Sequence, residues 1–234
     1  MSAIHVSWSL GRFAAVLSVS VSSIPAARLL FEKDAALQIK LEARSPFITI
    51  LGTACKGPPE LTDNKICWLA MFDNRDAYHD GEHVERANKD LMPELSSLLL
   101  TGNITDYAGG FRGACMHLEK STSGVNSGHA IYVTAKAKDA AKATELLEAL
   151  KAHGLRQMEA EPGALRFTVF MPGGDLPPQF TDDVTVRFVE TWAKAADYDA
   201  HKQTPHVAEF SKKLEELTES VQLVEYDNVV HVTK

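Results

Sequence analysis

An α+β fold assembled from two tandem copies of one domain is what this sequence predicts. Three observations carry that expectation: a long internal repeat, the same order of strand-like and helix-like apolar patterns in each half, and a Ser/Gly-rich stretch between them. Pro58-Pro59-Glu60-Leu61-Thr62-Asp63 returns 119 residues later as Pro177-Pro178-Gln179-Phe180-Thr181-Asp182, and Ile48-Thr49-Ile50-Leu51 returns at the same offset as Phe167-Thr168-Val169-Phe170. Downstream the offset drifts to 120 for Phe72 with Trp192 and Tyr78 with Tyr198, then to 123 for His83 with His206. Small drifts are what loop insertions produce. The period exceeds the roughly 20 to 50 residues of solenoid repeats, so each copy is a whole domain. The expected division is 1–120, a linker over 121–128, and 129–234.

The elements follow in order. In the second half His129 to Ala135 alternates as a strand, and Asp139 to His153 is rich in helix formers, with Leu146, Leu147 and Leu150 on one side and Gly154 as the expected stop. Leu165 to Met171 reads as a second strand. Val184 to Trp192 reads as a third, projecting Val184, Val186, Phe188, Glu190 and Trp192 to a single face. Thr204 and Pro205 open a helix whose stripe is Val207, Phe210, Leu214 and Leu217, and a last strand runs from Val221 to about Tyr226. The first half matches, with strand Phe13 to Val21, helix Pro25 to Ala43, strands Phe47 to Thr53 and Ile66 to Phe72, a helical region Val84 to Leu99, and a strand near Ile104 to Cys115. Pro93 should kink or restart that helical region. The order β-α-β-β-α-β is that of a ferredoxin-like domain. Its sheet carries helices on one face and must cover the other, so the two copies are expected to face each other as an intramolecular dimeric α/β barrel, a pseudo-dimer within one chain.

Composition narrows the function classes. With 234 residues, 45% of them hydrophobic, the chain buries a sizeable core without a staple. A formal charge of -7 and no basic cluster argue against nucleic acid as a partner. Cys55, Cys67 and Cys115 are scattered and odd in number, which suits ordinary thiols in a reducing, cytoplasmic setting. Arg12 and the apolar residues after it resemble a weak secretory leader, yet Phe13, Ala15, Leu17, Val19 and Val21 alternate with Ser18, Ser20 and Ser22 in a strand's period. No stretch approaches the roughly 20 apolar residues of a membrane span.

Chemistry-bearing residues concentrate after the third strand of the second half, where Glu190, Trp192, Tyr198, His201, Thr204 and His206 fall within seventeen positions. The E-x-W of Glu190 and Trp192, the following Ala200-His201 and the Thr204-Pro205-His206 that opens a helix resemble the antibiotic biosynthesis monooxygenase family, which includes small quinol monooxygenases. The likeness covers roughly Gly128 to Lys234 and is only architectural over the first half. It implies a dimeric α/β barrel and, as in several members, oxygenation of a small hydrophobic phenol, anthrone or quinol by dioxygen with no cofactor. A substrate that ionises to a phenolate or enolate supplies electrons to dioxygen itself, so the protein need only bind, deprotonate and stabilise it. The implied roles are His206 or His201 as base, Trp192 as wall or indole donor, Tyr198 as donor, and Glu190 orienting a histidine or substrate hydroxyl. Phe188, Phe167, Phe210, Phe72 and Trp68 are the expected substrate-binding aromatics.

Plainer readings stand beside these. Trp192 and Tyr198 suit core packing, and the same scaffold also serves an isomerase, cyclase or decarboxylase, or a haem- or small-ligand-binding protein without turnover. The first half has Ala70 in place of Glu190, Phe72 in place of Trp192, and Gly81-Glu82-His83 in place of the Thr-Pro-His run. The site is therefore expected in the second half. His79-Asp80-Gly81-Glu82-His83 packs four ligand types into five positions, but Gly81 weakens a helix there and an acidic turn is the better reading, so no metal is expected. There is no G-x-S-x-G, Cys115 with His117 lies on an expected strand, and Gly109 to Gly113 lacks the following helix a phosphate site needs. Association into a homodimer is left open.

Overall fold

A computed structural model describes residues 4–9, 13–41, 48–58, 64–72, 87–100, 106–108, 115–120, 127–170 and 184–233. The strands are β1 (Ile4–Ser9), β2 (Phe13–Ser20), β3 (Ile48–Lys56), β4 (Lys65–Phe72), β5 (Asp106–Ala108), β6 (Cys115–Lys120), β7 (Ser127–Ala137), β8 (Ala164–Phe170), β9 (Thr185–Trp192) and β10 (Thr218–Thr233). The helices are α1 (Ile24–Leu41), α2 (Met92–Ser96), α3 (Ala140–Ala160), α4 (Ala195–His201) and α5 (Pro205–Leu217). The duplicated Pro-Pro corners beyond Pro58, the residues from Tyr78 to His83, Gly109 to Gly113 and positions 121–126 of the expected linker lie outside the described residues. No helix among the described residues is long and apolar enough to cross a membrane.

The sheet order is β1-β6-β8-β9-β7-β10-β3-β4-β2-β5. It contains the ferredoxin-like order twice, as β8-β9-β7-β10 and as β3-β4-β2-β5, so the fold is the expected tandem α+β barrel. The joints are made by exchanged last strands. Thr218 to Tyr226 of β10 lie on β7, while Glu225 to Thr233 lie on β3 of the other copy. The change of partner is accompanied by bulges and by Asn228 at φ 53°, a left-handed conformation that Asn tolerates. In the same way β5 pairs with β2 of its own half and β6, next in the chain, pairs with β8 of the other. Across that second joint Arg166 binds Glu119 with Nε at 2.8 Å. Burial alone would raise the Glu119 carboxyl; the His117 hydrogen bond and the Arg166 charge bring it down to about 2.

Side chains sort by strand parity onto two faces. Ile131, Val133, Val186, Phe188, Trp192, Phe167 and Val169 meet Leu146, Leu150, Met158, Phe210 and Leu217 of the helices, and Trp68, Ile66 and Val19 meet Phe31, Leu91 and Leu95 in the first half. Leu69, Ala130, Phe170, Val189, Val224, Tyr226 and Val229 fill the space between the sheets. Among the described residues, the void lined there by Leu69, Ala130, Val189, Tyr226 and Val229 measures about 20 Å³.

Several expectations are corrected. The α3 helix does not stop at Gly154 but runs to Ala160, capped at its start by Asp139, whose Oδ1 accepts from the Lys142 amide at 2.7 Å. Gly154 is a packing residue: a Cβ there would lie 2.5 Å from Phe167 Cδ1. The strand expected near Ile104 to Cys115 is two strands, β5 and β6, the second reaching Lys120. The last strand is 16 residues long because it serves both sheets. β1 on the edge of β6 and the short α4 were not foreseen. Thr204 stands at the N-cap of α5, yet its hydroxyl donates backward to the His201 carbonyl at 2.8 Å instead of capping. Pro93 does mark a restart, since a π-helical turn over Ala87–Leu91 gives way to α2 at Met92.

Gly154→Ala should destabilise the protein by about 1–2 kcal/mol, because crowding a rigid buried ring outweighs the roughly 1 kcal/mol that Ala gains over Gly in a helix. Urea unfolding of the two proteins checks this, and a variant more stable than the parent would contradict it.

Candidate active site beneath the second sheet

Glu190 and Trp192 stand on the helix face of β9, where pairing sets Ile131 and Phe167 beside Glu190 and His129 and Ala164 beside Trp192. A carboxylate in this apolar row needs partners from the helix layer. The layer supplies imidazoles. His153 comes from α3, His201 from the end of α4 and His206 from the first turn of α5. The Nε2 atoms of His201 and His153 lie 3.6 and 3.8 Å from the two Glu190 oxygens. Glu161, the C-cap of α3, accepts at one oxygen from both His201 Nδ1 and His206 Nε2, each at 2.8 Å. An ionised carboxylate only accepts, so both nitrogens carry protons. That leaves His201 Nε2 and His206 Nδ1 as the basic positions.

Of the sequence-predicted catalytic residues, Glu190, Trp192, Tyr198, His201 and His206 all gather here. The Trp192 ring lies 4.6 Å from His201 and 6.1 Å from Tyr198, and its indole Nε1 is buried without a partner. Tyr198 stacks on His129 at 5.3 Å, and burial followed by the Glu190 charge pushes its hydroxyl well above the usual range, so it is a donor and not a base. Burial lowers the His206 imidazole; the Glu161 charge works against this, while the His153 and His201 charges reinforce it. His206 is therefore neutral near pH 7.

Phe167, Phe188 and Phe210 join the same layer, with Phe167 stacked on Phe188 at 5.9 Å and Phe210 edge-on to Phe188 at 6.2 Å. Trp68 is buried with Phe31 and Leu95 in the first half and is not brought to this group. Phe72 lies on β4 opposite Phe13, also in the first half. Two residues of this group were missed by sequence reasoning, His153 and Glu161. His153 stacks on Phe210 at 4.3 Å and continues, with Gln157, the apolar stripe of Leu146 and Leu150. A polar pair within an apolar stripe was the available signal, and treating Gly154 as a helix stop hid it.

A cavity of about 120 Å³ opens between α3 and α5 against His153, His206 and Phe210, with Ala149, Arg156 and Lys213 around it. Through Ala149, Ala152 and Lys213 it adjoins an outer groove of about 510 Å³ bordered by Glu145, Glu148 and Glu216. At the joint of the halves a second group, Cys55, His129 and Asp227, places His129 Nδ1 2.9 Å from Asp227. Burial, together with the hydrogen bond and charge of Asp227, pushes the Cys55 thiol up to about 12, which removes it as a nucleophile.

Replacing Glu161 with Gln should lower the His206 pKa further, because the carboxylate is the group holding it up. An NMR titration of the imidazole protons checks this, and an upward shift would be the wrong sign.

Comparison with known proteins agrees with the architecture. Residues 130–213 match the family profile described as antibiotic biosynthesis monooxygenase. Among solved structures, a candidate monooxygenase from Fusobacterium nucleatum superposes with a TM-score of 0.72 at 12% identity, covering 96% of this chain and 95% of that one. A candidate monooxygenase from Lactobacillus acidophilus NCFM gives 0.67 at 14% identity, with 96% and 99% covered. An anthrone oxidase-like protein gives 0.60 at 9% identity, with 99% and 96% covered. At these identities the likeness establishes a shared fold over the whole tandem chain. No curated protein matches the sequence.

Proposed function

We propose that this chain, whose residues 130–213 match the antibiotic biosynthesis monooxygenase profile, is a cofactor-independent monooxygenase acting on a small phenol or quinol. The observation that carries the reading is the Glu161-held His206, a neutral imidazole with a free Nδ1 on the wall of a partly apolar cavity beside Phe210. Its Nδ1 accepts the substrate hydroxyl proton, and Glu161 stabilises the imidazolium that forms. Arg156 and Lys213 line the same cavity and supply cations that suit an oxyanion, while Trp192 and Tyr198 lie deeper, behind His201.

The chemistry balances without an outside reductant. The phenolate gives one electron to dioxygen, the phenoxyl radical and superoxide combine at a ring carbon, and the hydroperoxide loses water to leave a carbonyl. One oxygen atom stays on the ring, the other leaves as water, and all the electrons come from substrate. Size favours a single ring over an anthrone, since a cavity of about 150 Å³ takes a benzene and this one is about 120 Å³.

Oxygen uptake with simple hydroquinones, measured in the presence of chelator, tests the proposal. His206→Ala should cost about 10²-fold or more in kcat/KM, in the range of general-base catalysis, and Trp192→Phe, at a ring that packs on His201, should cost less, while Phe72→Ala and His83→Ala leave it near the parental value. Because His206 must be neutral and its pKa is depressed, activity should hold through neutral pH and fall only on acidification below its ordinary value of about 6.5. Equal losses from both halves, or no uptake at all, would refute the reading.

A further inference from the structure

The proposed base leaves a deeper group of side chains unused. We propose that His153, Glu190 and His201 bind a divalent first-row transition ion. The three are buried, and one ligand atom from each lies within 4.8 Å of the others. The two imidazole-to-carboxylate separations, 3.8 and 3.6 Å, are too long for charge-assisted hydrogen bonds of roughly 2.7–2.9 Å. They are close to the roughly 3.4 Å between neighbouring ligands around a tetrahedral ion with bonds of about 2.1 Å.

A second observation points the same way. Glu190 Oε2 is buried and accepts no hydrogen bond, a costly state for a carboxylate unless a cation answers it. His201 cannot answer it as a neutral donor. Its Nδ1 proton is committed to Glu161 at 2.8 Å, which turns the Nε2 lone pair toward Glu190. Two lone-pair atoms facing each other need a proton or an ion between them, and the spacing fits the ion. Glu161 then stands where a carboxylate outside the ligand shell orients a metal-binding histidine, and stacking on Phe210 fixes the ring of His153. Two imidazoles with one carboxylate form a ligand set for Zn²⁺ or Fe²⁺, whereas Ca²⁺ and Mg²⁺ favour oxygen donors.

This site stands apart from the monooxygenase reading, since His206 is not among its ligands. Co²⁺ titrated into the chelator-stripped full chain should give visible d–d bands that saturate at one ion per chain and vanish on adding Zn²⁺. Glu190→Gln and His153→Gln, each checked for native circular dichroism, should abolish the bands, and Glu161→Gln should weaken binding about 10–100-fold. His129→Ala, at the other histidine cluster, should change nothing. Should Glu190→Gln fail to fold, His153→Gln decides. A parent chain without bands and without a Zn²⁺-dependent rise in thermal midpoint overturns the site. So do bands that survive both ligand substitutions or disappear only in His129→Ala. Oxygen uptake with chelator in the same samples bears on the proposed activity alone, so the two ideas can fail separately.

Discussion

Everything in this molecule depends on how the open edges of two four-stranded sheets are satisfied. Left alone, each half would present the outer edge of its second strand, β3 in one and β8 in the other, as a row of unpaired backbone groups. The chain covers β3 with the far end of β10 and β8 with β6, so each copy closes the other. Side chains reinforce both joints. Lys56 Nζ binds Glu225 at 2.8 Å across one, and Arg166 binds Glu119 across the other. The consequence reaches the site. Lys120, at the end of β6, donates to the Glu161 carbonyl, so a residue of the first half steadies the carboxylate that holds two histidines of the second.

Beneath the second sheet the dominant constraint is electrostatic. Two carboxylates and three imidazoles share a layer of mostly apolar side chains, where an unmatched charge is costly. Glu161 meets the need with two short hydrogen bonds. Among the described residues, imidazole nitrogens lie 3.6 and 3.8 Å from the Glu190 oxygens, and Trp192 and Gln157 add buried polar atoms without partners. Such a concentration of unsatisfied groups is uncommon in an interior kept only for stability. It lies beside the cavity between α3 and α5, and the void lined by Leu69, Ala130 and Val229 between the sheets is about 20 Å³.

The sequence made the element order and the barrel legible because period-two runs are local signals and the long repeat is written in the chain itself. Glu190, Trp192, Tyr198, His201 and His206 were legible because they cluster within seventeen positions. What escaped depended on tertiary context. Gly154 reads as a helix stop by propensity, but close packing on Phe167 keeps it inside a helix that goes on to deliver Glu161. His153 and Glu161 come from an element far from that cluster in sequence, and only folding brings them together. The length of β10 was hidden because its far end pairs with the other copy, where the local pattern carries no information about the partner.

Duplication explains why the two copies differ. In a symmetric dimer every substitution appears twice, so a residue that favours chemistry at the cost of stability is paid for in both subunits. A tandem chain separates the demands. At the positions of Glu190 and Phe188 the first half has Ala70 and Trp68, and its helix layer is a cluster of Trp68, Phe31, Ile66 and Leu95. That layer contributes apolar burial, and its strands complete the edge pairing. The second half can then keep a charged, partly unsatisfied interior, because the twin against which it folds supplies both the closing strand and the packed mass. The asymmetry follows the cost of burying charge, and among the described residues the candidate site groups gather in one copy while the fold repeats in both.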